Sequence, residues 1–130
     1  MKPAVAVAAA LLLALSGCGK TGDSIYTEAA SSACLVKAGL HPTSVARTSD
    51  FVAQTATGGA FRVKLPDNFV TVSFGQTQAD ANNINDAYYR FKANNVGLDD
   101  VLRRQGNAVM LWHVHPNEPD VAKITGCLKR

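Results

Sequence analysis

Phe61-Arg62-Val63-Lys64-Leu65-Pro66-Asp67-Asn68-Phe69-Val70-Thr71-Val72-Ser73-Phe74 is the stretch on which the fold turns. Apolar and basic residues alternate strictly from Phe61 to Leu65, the period of a half-buried strand. Pro66-Asp67-Asn68 supplies turn residues, after which Val70, Val72 and Phe74 alternate with Thr71 and Ser73. Two such runs read as a β-hairpin with one face on the core. Gly58-Gly59 breaks the chain before it, and Gly75 ends it.

Downstream, Thr77 opens a helix with Asp80 three residues on, an aspartate version of the capping box. Ile84, Ala87, Tyr88 and Phe91 follow at i, i+3, i+4 and i+7, with Asn82, Asn83, Asn85, Asp86 and Arg90 on the other side. The helix should end near Asn94-Asn95, before Gly97. Leu98 to Arg104 reads as a helical turn leading into a strand, and Gly106-Asn107 as a turn. Ala108 to Val114 is apolar on both faces, which predicts a central strand. Asn117-Glu118-Pro119-Asp120 starts a last helix with Val121, Ile124 and Leu128 on its apolar side.

Upstream, Ser24 can cap a first helix that runs to about Ala38 and stops at Gly39. Its apolar stripe is Ala29, Ala33, Val36 and Leu40. Between Ser44 and Thr57 the pattern is weak; Val45-Ala46-Arg47 and Phe51 to Thr55 are read as short strands. The expected class is α+β: a small, mainly antiparallel sheet with helices packed on one face. Residues 24–130 form this single domain, because the chain is too short for two.

The first residues carry a different kind of information. Lys2 precedes twelve uncharged residues, Ala4 to Leu15, all alanine, valine or leucine. That is the length of a signal-peptide core and well short of the ~18–20 residues a membrane span needs. On this alone, an ordinary secretory signal or a buried apolar helix also fits. Leu15-Ser16-Gly17-Cys18, however, resembles the lipobox of bacterial lipoproteins. The resemblance implies a signal peptide over residues 1–17, lipid on Cys18 and a lipidated tether over residues 18–23. A membrane-anchored, extracytoplasmic protein follows, held at the outer membrane if the host has two, since no aspartate follows Cys18 at the second position. One acyl chain binds a membrane only marginally, so a multi-chain anchor is the stable arrangement.

With Cys18 acylated, Cys34 and Cys127 remain, and an oxidising compartment makes them a disulfide. A redox or metal-binding thiol pair is the alternative, but no C-x-x-C spacing supports it. The mature part resembles small α+β lipoproteins of unknown role, with a cysteine followed by leucine near each end (Cys34-Leu35, Cys127-Leu128). That likeness implies a compact envelope domain and transfers no catalytic residues.

The whole chain carries 13 basic and 10 acidic residues. The basic ones are scattered, Arg103-Arg104 being the densest pair, so nucleic acid is not an expected partner. There is no G-x-S-x-G, and the Gly19-Lys20-Thr21 match to a phosphate loop lacks its first glycine and its strand. Asp80, Asp86, Asp99 and Asp100 read as capping and surface carboxylates. Two weaker constellations remain. His113 and His115, at i and i+2 on a strand, would share a face and could hold a metal with His41, Glu118 or Asp120 as a third ligand. Trp112 and Tyr89 could wall a ligand site, though Trp112 also suits the core. The expected function is a non-catalytic envelope module, not an enzyme and without a cofactor, that binds another protein or a small ligand. The alternative is a small metal-binding protein or metal-dependent enzyme using His113 and His115.

Overall fold

A computed structural model describes residues 25–91 and 97–130. The lipobox, Cys18, the tether, Ser24 and the Asn94-Asn95 helix end lie outside these residues. The first described helix, α1 (Glu28–Lys37), is capped by Thr27, whose side chain accepts from Ala30 N. There follow β1 (Thr43–Ser44), α2 (Phe51–Gln54), β2 (Ala60–Lys64), β3 (Phe69–Phe74) and α3 (Gln78–Phe91). The chain then continues through α4 (Leu98–Val101), β4 (Leu102–Gln105), β5 (Ala108–Trp112) and α5 (Glu118–Gly126). The five strands form one sheet in the order β1-β2-β3-β5-β4, every pairing antiparallel. The expected α+β class with an antiparallel sheet and one disulfide is what the chain forms.

The hairpin forms as read. Phe61 pairs with Val72, Val63 with Val70 and Lys64 with Phe69, and Leu65 N donates to Asn68 O to close the turn. Gly58 sits where a side chain would not fit: a Cβ there would lie 2.8 Å from Phe74 O, the carbonyl that its own N–H reaches. The strand Ala108–Trp112 lies between β3 and β4, the interior position that its two apolar faces predicted.

Helices cover both faces of the sheet rather than one. On the first face Phe61, Val63, Val70, Val72, Phe74, Met110 and Trp112 pack with Leu35 of α1 and with Ile124, Cys127 and Leu128 at α5. On the second, Val109, Leu111 and Leu102 pack with Val52 of α2, Ala81, Ile84 and Tyr88 of α3, and Leu98 of α4. Thr71 and Ser73, the polar half of the β3 alternation, are therefore buried too. Polar residues of small volume let the second helical layer approach, and alternation alone does not distinguish that from water.

The first helix turns a different side inward from the one expected. Ser31 and Leu35 are buried, while Ala29, Ala33 and Val36 are exposed. Two long-range ties set the rotation. Cys34 is bridged to Cys127, with Cα atoms 5.3 Å apart across 93 residues of sequence, and Ser31 Oγ accepts from Lys129 N. The stretch from Phe51 is also a helix, not a strand, because the Asp50 carboxylate accepts from Ala53 N and nucleates a turn. Val45 stands in a turn region after the two-residue β1. Asp80 does not close the reciprocal box either: Thr77 Oγ1 accepts from Asp80 N, but the Asp80 carboxylate accepts from Thr57.

Candidate functional site

Strand alternation puts Arg62, Thr71 and Leu111 on the second face of the sheet, and His113, just past the end of β5, stacks on Phe69 there. At the open end of that face the helices leave a groove of about 850 Å³. Its floor is Arg62, Phe69, Thr71, Leu111 and His113, and its walls come from Asp50, Phe51 and Val52 of α2, Phe91 of α3 and Leu98 and Val101 of α4. A second concavity of about 510 Å³ lies beside it, lined by His41, Lys64, Pro66 and Asn68 among others. Arg62, Phe69 and His113 line both and form the ridge between them.

That ridge is a stack across the sheet. The Arg62 guanidinium lies over the Phe69 ring at 4.6 Å from its centroid. The His113 ring stacks on Phe69 with centroids 4.5 Å apart and planes inclined by 16°. Arg62 Nε also donates to Thr71 Oγ1 at 3.3 Å, which turns the fork of the guanidinium. Asn68 locks the other end: its Oδ1 accepts from Phe69 N and Val114 N, and its Nδ2 donates to Val114 O. His113 N donates to Phe69 O, so the imidazole's backbone is held by the hairpin.

The helical wall is aromatic and open. Phe51 and Phe91 meet edge to face with centroids 4.9 Å apart, yet remain 51% and 58% exposed. Asp50 accepts on both carboxylate oxygens, from Ala53 N and from the Tyr88 hydroxyl. Tyr88 is fully buried, and its burial, reinforced by the Asp50 charge, pushes the phenol far above its ordinary range.

The expected site residues fall in different places. The strand ends at Trp112, so His113 and His115 lie beyond it, and the alternation that put them on one face does not apply. His113 stacks on Phe69, whereas His115 Nδ1 lies 2.6 Å from Asp100 Oδ1 at the surface. Among the described residues no group of three or more His, Cys, Asp or Glu could hold a metal ion. Trp112 is 1% exposed and packs on the opposite, first face, although it also borders the groove. Tyr89 points elsewhere and donates to Asp99. The pair does not form a wall; Phe51 and Phe91 do.

No family model, curated protein or solved structure matches this chain. No helix among the described residues is long and apolar enough to cross a membrane.

Sequence reasoning missed Arg62, Phe69, Phe51 and Asp50. Arg62 was legible only as the polar side of a half-buried strand. Phe69 carried a signal: it puts two apolar residues, Phe69-Val70, in a row where simple alternation expects a polar one first, marking an aromatic on the face assigned to solvent.

Proposed function

We propose that this protein is a membrane-anchored extracytoplasmic lipoprotein whose domain is a non-catalytic module that binds a small ligand between the second helical layer and the sheet. The lipid on Cys18 would hold the module at the membrane surface. The observation that carries the binding reading is the groove itself, about 850 Å³ in volume with an aromatic wall and a few convergent polar groups. That size lies within the range of small-molecule sites. Phe51 and Phe91 support the same reading. Two large rings that pair with each other at the groove and stay about half exposed present apolar surface to an incoming ligand.

The test is calorimetric titration of the full lipidated chain, in neutral detergent, with naphthalene-2-sulfonamide as an uncharged flat probe. Saturable binding that weakens at least fivefold when both Phe51 and Phe91 are replaced by serine is the expected result. Absence of saturable binding would sink the reading.

A further inference from the structure

We infer that the ligand of this groove is an anion, a carboxylate, sulfonate or phosphate joined to a flat apolar body, and that Arg62 receives its charge. The inference rests on the groove being a ligand site. Arg62 is half-buried in the ridge between the two concavities. Among the described residues Arg62 donates through Nε to Thr71 and forms no ion pair. A cation withdrawn from water without a counter-charge is costly, and an anion supplied from outside relieves that cost. The guanidinium is also oriented in advance. Phe69 holds one of its faces and Thr71 holds Nε, which leaves the two terminal nitrogens as a fork for two oxygens of one anion. Asp50 is the carboxylate on the same groove. Its oxygens are engaged by Ala53 N and the Tyr88 hydroxyl rather than by Arg62. Lys64 in the adjoining concavity adds positive potential against Asp67. The exposed rings of Phe51 and Phe91 offer apolar faces on which a flat body can pack.

The matched probes are naphthalene-2-sulfonate and naphthalene-2-sulfonamide, equal in shape and different in charge, titrated into the full lipidated chain. The sulfonate should bind at least tenfold more tightly. Arg62→Gln should abolish that preference. Arg62→Lys, which keeps the charge and loses the fork, should retain only part of it; it also serves if the glutamine variant does not fold. Equal binding of the two probes overturns the anion inference and leaves the groove as a ligand site. A preference that survives Arg62→Gln overturns the assignment to Arg62. Failure of both probes to bind overturns the groove reading and this inference with it.

Discussion

The Tyr88 hydroxyl donates to Asp50 Oδ2 at 2.8 Å, joining residues 38 positions apart. Asp50 uses its other oxygen to cap α2 through Ala53 N. One carboxylate therefore ties two of the helices that wall the groove, α2 and α3, and the ring that meets it is completely buried. Removing the hydroxyl leaves the carboxylate short of a donor without opening a cavity. Tyr88→Phe should destabilise the domain by about 1–3 kcal/mol, as expected for a hydrogen bond to a charged group. Urea unfolding at pH 7 measures it, and an unchanged midpoint would mean the bond is idle.

The same phenol makes a prediction in alkali. Its folded pKa is raised above the ordinary value of 10.0 by burial, with the Asp50 charge adding to the effect. A raised value means the neutral form stabilises the fold fully below the unfolded pKa. That contribution is lost as pH climbs beyond it, at up to about 1.4 kcal/mol per pH unit. The advantage of the natural chain over Tyr88→Phe should therefore shrink above pH ~10. Unfolding both proteins at pH 8 and pH 11 checks the sign; a constant difference contradicts it.

Asn107 is fully buried in the β4–β5 turn and holds the start of the domain in place. Its Oδ1 accepts from Tyr26 N at 2.6 Å, and its Nδ2 donates to Tyr26 O and Gly75 O at 2.9 and 2.7 Å. Asn107→Ala strands these backbone groups and should cost roughly 2–4 kcal/mol. A thermal melt would show it.

The Cys34–Cys127 bridge closes 93 residues of sequence and fastens the beginning of the domain to its end. On the chain-entropy model a loop of that length contributes about 4–5 kcal/mol. Cys127→Ser, or reduction, should lower the melting temperature by more than about 10 °C. Scanning calorimetry with and without reductant decides the matter.

The anchor is tested separately from the domain. Cys18→Ser should move the protein from the membrane fraction to the soluble one. Retention in the membrane without lipid would exclude an anchor at Cys18.

Where the chain was legible, short-range pattern sufficed. Phe61 to Phe74 alternate around turn residues, and the only pairing that buries Val63, Val70 and Val72 together is the hairpin observed. Ile84 and Tyr88 lie one turn apart and both became core. Phe91, on the same expected stripe, instead stayed exposed beside Phe51, because the core lies nearer the helix's start and the groove opens at its other end. α1 was the opposite case. Its composition is nearly uniform in hydrophobicity, so no stripe dominates, and Cys34 and Ser31 set its rotation through partners near the end of the chain.

The sequence by itself determined which residues share a strand face and which elements exist in the later half. These depend on backbone periods of two and 3.6, which are local. Only the tertiary structure decided what covers each face. Arg62 and Thr71 read as solvent-facing until a second layer of helices closes over Ser73 and Leu111 and stops short of the sheet's end. The groove, the Arg62–Phe69–His113 stack and the Asp50–Tyr88 tie all arise at that boundary. They join residues from separate elements, and alternation within any one strand or helix carries no information about what packs against it.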